Sequence, residues 1–448
     1  MGRHKLREYQ ETAADFLYEN NSAMVLAWVG AGKTACALTA MRDMIHDGHT
    51  KRWLVLAPKR VATEVWPGEA KKWAPGLSIS VAVGTKRQRD TAFAELSQLV
   101  VANYDSIQTM TEAQIADFSG IVFDELTRLK NPQGKRFKTL EKKISGVGIR
   151  WGLTGSFTSN GLEDVFGQCK AINPAILGRA KTAFMQQYFI CTNRDYGLWT
   201  PAPGALEQVM EKIKPFTFVL ENKDYKDTLP PLHTIKVIIP FTDREPYDNM
   251  KREFVVELGD SQICALNAAA VTTKCRQMSS GFVYDTALVP GATKMVSVKT
   301  PIWFSKHKFD RLDEILDENQ HSPTMVYYTF TEELAELRRR QPHVQTLDDT
   351  DAVNRFNSGS IELLAAHPKS ASHGLNLQGA AHHIVFLSVP WSLDEYEQSI
   401  GRLHRSGQKH AVWVYVLMTA NTIDQRVFAA LHNKRGVSEI AMEELLLG

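Results

Sequence analysis

The sequence predicts an α/β protein with two parallel central sheets, and three observations predict it. Short apolar runs alternate with amphipathic stretches through the first 160 residues, the same rhythm returns late in the chain, and a glycine-rich turn with Gly-Lys-Thr closes the first run. At 448 residues the chain is longer than one ordinary core serves, so two large domains are expected, 1–225 and 226–448. With 44% hydrophobic and 23% charged residues it can bury both cores and has no compositional cause for disorder.

Taken in order, Met24–Ala27, Trp53–Ala57, Leu99–Ala102, Ile121–Phe123 and Trp151–Leu153 read as buried strands of the first sheet. Residues 160–230 read mainly as helices, ended by Leu229-Pro230-Pro231, where two prolines oppose further helix, and the domain junction is expected there. A strand at Thr234–Ile239, a helix-rich stretch from about Pro246 to Arg276 and a loop region around Pro290-Gly291 follow. The second sheet is then expected from Thr324–Tyr328, Glu362–Ala366, His383–Leu387 and Val412–Leu417, with a short helix at Asp351–Asn357.

The net charge of +2 points to no polyanion partner, so any nucleic-acid surface must be local. Basic clusters such as Lys59-Arg60, Lys86–Arg89 and Arg338–Arg340 each read, taken singly, as solvated faces. The five cysteines are scattered without metal-ligand spacing, as in an intracellular protein with reduced thiols. No signal segment opens the chain and no run approaches the roughly 18 apolar residues of a membrane span, so a cytoplasmic protein without membrane contact is expected.

Ala27-Trp28-Val29-Gly30-Ala31-Gly32-Lys33-Thr34 follows an apolar strand and precedes the helical run Ala35–Asp47. In that context small residues let backbone N–H groups converge on phosphates, the helix N-terminus adds positive potential, Lys33 can reach the β- and γ-phosphates and the Thr34 hydroxyl can hold Mg²⁺. The first glycine of the usual pattern is Ala27 here. Ile121–Phe123 then delivers Asp124 and Glu125 to a strand end, one carboxylate for the metal and one to polarise the attacking water. Far downstream, Gln398–Gln408 reads QSIGRLHRSGQ, with Arg402 and Arg405 three residues apart, one turn if helical. Such a pair suits transition-state charge on a transferred phosphoryl group.

Further segments complete an ordered series: Leu6-Arg7-Glu8-Tyr9-Gln10, Leu56-Ala57-Pro58-Lys59 with Trp66, Ala102-Asn103-Tyr104-Asp105, Asp124-Glu125-Leu126-Thr127 with Lys130-Asn131-Pro132, Leu153-Thr154-Gly155-Ser156, Gly374-Leu375-Asn376-Leu377, Pro390-Trp391-Ser392 and the arginine segment. Together they resemble the SNF2 branch of superfamily 2 helicase-like ATPases over nearly the whole chain. The resemblance implies two tandem RecA-like P-loop domains with parallel central sheets and helical insertions. It implies ATP with Mg²⁺ in a cleft lined by Arg7, Gln10 (on adenine), Gly30, Gly32, Lys33, Thr34, Gly374 and Asn376. Lys33, Asp124, Glu125, Arg402 and Arg405 would carry the catalysis, and Thr34 and Asp124 would hold the metal. Pro58, Lys59, Asn103, Tyr104, Thr154 and Ser156 would face nucleic acid.

The activity so implied is ATP-driven translocation of a monomer on double-stranded DNA, with single-stranded DNA or RNA as other substrates. A strand-separating helicase and a weakly hydrolysing, nucleotide-gated DNA-binding scaffold are the alternatives. The second is raised by Leu126-Thr127, where the family has Ala-His, and by Phe157 in place of proline. The chain's compactness resembles phage or prophage members, hence a bacterial or phage-infected cell.

Overall fold

The computed structural model describes residues 5–28, 30–158, 161–193, 198–220, 229–241, 244–253, 255–258, 261–264, 268–290, 295–371 and 375–446. The chain divides into two compact units: Met1–Thr228 with His373–Leu375 and Asn433–Gly448, and Leu229–Ser372 with Asn376–His432.

The first unit is built on β1 (Ser22–Leu26), β2 (Trp53–Ala57), β3 (Ile79–Ala82), β4 (Leu99–Asn103), β5 (Gly120–Asp124) and β6 (Ile149–Thr154). A hairpin follows, β7 (Phe189–Asn193) with β8 (Leu198–Pro201), and then β9 (Thr217–Val219). Seven strands form one parallel sheet in the order β3-β4-β2-β5-β6-β1-β9. The central strands are apolar on both faces because helices cover both, as parallel sheets require. In register, Leu26 faces Thr154 and Asp124 faces Leu153, so the ends of β1 and β5 flank the end of β6. Trp53 and Trp151 pack with ring centroids 4.4 Å apart inside the sheet layers.

The second unit holds a six-stranded parallel sheet in the order β10-β19-β18-β15-β17-β16. Its strands are β10 (Leu232–Ile239), β15 (Thr324–Tyr327), β16 (Gln345–Thr346), β17 (Leu363–Ala366), β18 (His383–Phe386) and β19 (Val412–Thr419). Two antiparallel hairpins interrupt the stretch expected to be helix and loop: β11 (Val255–Leu258) with β12 (Ser261–Cys264), and β13 (Phe282–Pro290) with β14 (Met295–Trp303). They separate and follow the helices Glu245–Glu253 and Ala268–Ser279. The residues around Pro290 therefore form the end of a long hairpin rather than a loop region; Gly291 lies outside the described residues. An aromatic cluster anchors the hairpin base, with Phe282 within 5.6 Å of the Trp303, Tyr284 and Phe330 centroids.

The helix Ile423–Leu446 is fastened at its start by a buried ion pair, Asp424 to Lys308 at 2.7 Å. Lys308 Nζ also donates to Leu387 O, and Asp424 accepts from Ser279 Oγ and Thr419 N, so both buried charges have hydrogen-bond partners besides each other. The Arg338–Arg340 cluster is largely neutralised within its own unit: Arg340 binds Asp310, Asp313 and Glu336, and Arg339 binds Glu336. Among the described residues no helix is long and apolar enough to cross a membrane.

Candidate nucleotide site and arginine turn

Beyond β1 the chain turns through Gly30 and Gly32, both left-handed at φ 90° and 88°, and enters the helix Lys33–His46. A side chain at Gly32 would be strained there and would collide with the amide of Gln10. Gln10 is buried and bridges two segments: its Oε1 accepts from Arg7 N at 3.0 Å and its Nε2 donates to Ala31 O at 3.0 Å. The expected adenine-binding amide thus also holds the shape of the loop, while the Arg7 side chain stands exposed. Lys33 Nζ folds back onto the carbonyls of Ala27 at 2.5 Å and Trp28 at 3.2 Å, and Thr34 is half-buried on the first helical turn. Ala27 N donates to Thr154 O, which ties the start of the loop to the end of β6.

Asp124 closes β5 and is 7% exposed. Burial first, and the charge of Glu125 second, push its carboxyl up to about 6, while the Trp66 hydrogen bond and the Lys33 charge pull it down. The phosphate-loop lysine and the acidic strand end are therefore electrostatic neighbours. Glu125 takes a left-handed backbone, φ 60°, and opens the short 3₁₀ turn Leu126–Leu129. Such a conformation is costly for a side chain with a Cβ and sits here beside the acidic pair. A buried carboxylate beside a second acid suits a hard dication, and the Thr34 hydroxyl and the Asp124 carboxylate are oxygen groups of the kind that Mg²⁺ prefers.

The residues expected at nucleic acid divide in two. Lys59 is exposed in the helical segment that starts two residues beyond β2, and Asn103 is half-buried at the end of β4, with its Oδ1 accepting from Ser106 Oγ. Pro58, Tyr104, Thr154 and Ser156 are buried, so their side chains do not line an open surface in this conformation. Thr154 Oγ1 donates to Ser156 O at 2.8 Å, and Tyr104 OH donates to Asp124 O at 2.9 Å. Trp66, nominated only as part of a motif, is fully buried and donates its indole N–H to Asp124 Oδ2 at 2.8 Å. The sequence hints at that bond only through the general need of a buried indole N–H for an acceptor.

In the second unit the helix Leu393–Ile400 ends at Gly401, and Arg402 and Arg405 lie beyond it in consecutive turns rather than on one helical face. Arg402 is 3% exposed and Arg405 half-buried. Gln408 fixes these turns: Nε2 donates to Ala381 O and Leu403 O, and Oε1 accepts from Lys409 N and His410 N. Leu377 N donates to Arg402 O and Gln378 Nε2 to Ser406 O, which brings the segment after Asn376 against the arginine turn. Asn376 is exposed, and Gly374 lies outside the described residues.

A Gly-Lys-Thr turn between a parallel strand and a helix, with an acidic strand end beside it, defines a P-loop α/β protein. The chain belongs to the SNF2-related family of helicase-like ATPases: the SNF2-related domain model matches residues 9–278 and the helicase conserved C-terminal domain model residues 307–407. It is 32% identical to protein p41 of Acyrthosiphon pisum secondary endosymbiont phage 1, over 98% of both chains. The mouse SWI/SNF-related matrix-associated actin-dependent regulator of chromatin subfamily A member 1 is 24% identical over 98% of this chain and 44% of its own. The chicken DNA repair and recombination protein RAD54-like is 22% identical over 98% of this chain and 68% of its own. The SWI2/SNF2 ATPase core of Sulfolobus solfataricus, solved in complex with dsDNA, covers 99% of this chain and 94% of its own at 19% identity and a TM-score of 0.47. The chain thus spans nearly all of the phage relative but less than half of the mouse protein.

Proposed function

We propose that the chain is an ATP-dependent translocase that moves along double-stranded DNA. One observation carries this reading: a single chain joins the SNF2-related match, with its phosphate loop, to a helicase C-terminal match that contains Arg402 and Arg405. In this reading Lys33 and the backbone N–H groups of the loop bind the phosphates of ATP, and Gln10 selects adenine. Thr34 and Asp124 hold Mg²⁺, which when bound neutralises phosphate charge. Glu125 orients the attacking water, and Arg402 and Arg405 stabilise charge on the transferred phosphoryl group, so turnover needs both units. Lys59 and Asn103 grip phosphates of the duplex, which makes binding sequence-tolerant and salt-sensitive.

The test is steady-state ATP hydrolysis with duplex DNA, single-stranded DNA, RNA or no nucleic acid, combined with triplex displacement. Stimulation by duplex with displacement of the third strand supports the reading; hydrolysis indifferent to every nucleic acid sinks it. A second reading, strand separation, is favoured by the hairpin β13–β14, whose nine-residue arms extend to about 30 Å. Unwinding of a forked duplex without triplex displacement would decide for it.

A further inference from the structure

The end of β5 is held from two directions by buried side chains that the mechanism above does not use. Trp66 opens the helix Trp66–Trp73, reached from β2 through Pro58, the exposed Lys59 and a π-helical turn at Val61–Val65. Its indole N–H meets Asp124 Oδ2 at 2.8 Å. Tyr104 follows β4 directly after Asn103, and its hydroxyl meets Asp124 O at 2.9 Å. Trp66 is 0%, Tyr104 2% and Asp124 7% exposed, so water competes for neither bond. One clamp fixes the carboxylate and the other its backbone. Both are rooted in the segments that carry Lys59, just beyond β2, and Asn103, at the end of β4, and these two strands lie side by side with β5 in the sheet.

An indole N–H can be satisfied by any buried acceptor, and a structural role would end there. Here the acceptor is the carboxylate whose orientation governs its use as a metal ligand, and partners that orient a ligand commonly govern 10- to 100-fold in metal affinity. We propose that Trp66 and Tyr104 are positioning residues for the Mg²⁺-nucleotide site and relay a phosphate backbone bound at Lys59 and Asn103 to Asp124. This rests on the ATPase reading above. A duplex drawn against Lys59 and Asn103 shifts the roots of both clamps, and the carboxylate moves with them.

The experiment measures the affinity of full-length protein for a fluorescent ADP analogue by anisotropy, in EDTA and across a Mg²⁺ titration, with and without duplex DNA. The variants are Trp66→Phe and Tyr104→Phe, the second of which removes a single hydroxyl and keeps the packing. Thermal melts verify that each is folded. The expected result is an unchanged affinity in EDTA and a roughly tenfold higher Mg²⁺ requirement in Trp66→Phe, smaller in Tyr104→Phe. Duplex should lower the Mg²⁺ requirement of the wild type and not of Trp66→Phe. Equal losses with and without Mg²⁺, or no loss in either variant, would overturn the proposal, as would a duplex effect that survives in Trp66→Phe. A wild type that binds nucleotide no better with Mg²⁺ would instead remove the metal site itself, and the relay with it.

Discussion

Leu126 lies against Gly152 so closely that a methyl group on the glycine would stand 2.6 Å from Leu126 Cδ2 and 3.1 Å from Ile172 Cδ1. Leu126 follows the acidic pair and Gly152 precedes Thr154 by two residues on β6, so the segment where the family's Ala-His is replaced still touches the next motif, through packing. Gly152→Ala should therefore cost about 1–3 kcal/mol by overpacking. In Leu126→Ala/Gly152→Ala the added methyl enters the space left by leucine, and the double variant should be more stable than the two single costs add up to. Urea unfolding of the three variants measures it; strict additivity would show that the two residues do not share this space.

Lys33→Ala and Arg405→Ala should fail differently. The first removes the charge proposed to meet the phosphates and should weaken ATP binding. The second should leave binding within a few-fold while lowering turnover by about 10³ or more. Equilibrium nucleotide binding beside single-turnover hydrolysis separates them, and comparable loss of binding in both would contradict the division of roles.

The Lys308–Asp424 pair is buried at 1% and 7% side-chain exposure. Lys308→Met leaves an uncompensated carboxylate and should cost roughly 3–5 kcal/mol, whereas Lys308→Met/Asp424→Leu should recover part of that cost. Denaturation monitored by circular dichroism decides, and a single variant as stable as wild type would count against the pair.

Acid should weaken the second unit in a defined window. Burial, then the charge of Lys308, holds the His307 imidazole down at about 4, and burial holds His383 at about 4 as well. Unfolded histidine titrates near 6.5, so between about 6.5 and 4 the unfolded chain binds more protons and stability falls as pH falls, levelling below 4. At about 1.4 kcal/mol per unit over those roughly 2.5 units, His307 accounts for roughly 3–4 kcal/mol of that loss. Glu336, drawn down to about 2 chiefly by Arg339, adds a further loss from about 4.5 to 2. Urea midpoints measured against pH should show this slope, and His307→Gln should flatten its upper part; an unchanged slope would refute the assignment.

Salt dependence distinguishes free from neutralised basic residues. Lys59→Ala should reduce the slope of log affinity for duplex against log salt by about one, the share of a single phosphate contact. Arg340→Ala should leave the slope unchanged, because its guanidinium already serves Asp310, Asp313 and Glu336. A reduced slope in Arg340→Ala would place that cluster on the nucleic acid.

Periodicity and apolar runs made both sheets readable, because parallel strands covered on both faces are apolar throughout, as Trp53–Ala57 is. The strand Ile79–Ala82 escaped notice because its burial alternates and Ser80 interrupts it, and Thr217–Val219 because three residues carry no pattern. The hairpin β13–β14 was hidden by Pro290-Gly291, read as a loop signal although a hairpin turn uses the same residue types. The phosphate loop and acidic pair were legible because their chemistry is local in sequence. The bonds from Trp66 and Tyr104 to Asp124 were not, since contacts spanning 58 and 20 residues depend on which way a side chain turns. The arginine spacing could not reveal that a helix stops at Ile400, just before the pair.

The back-folded lysine has a consequence for which small molecules the loop admits. Lys33 rests against the carbonyls of Ala27 and Trp28, two neutral dipoles. An anionic phosphate oxygen offers the ammonium more than these dipoles do, and a sugar hydroxyl does not. Adenosine, however well its base fits, would leave that arrangement undisturbed. On the proposed reading, electrical charge gates the loop at the threshold, and recognition of the base comes second.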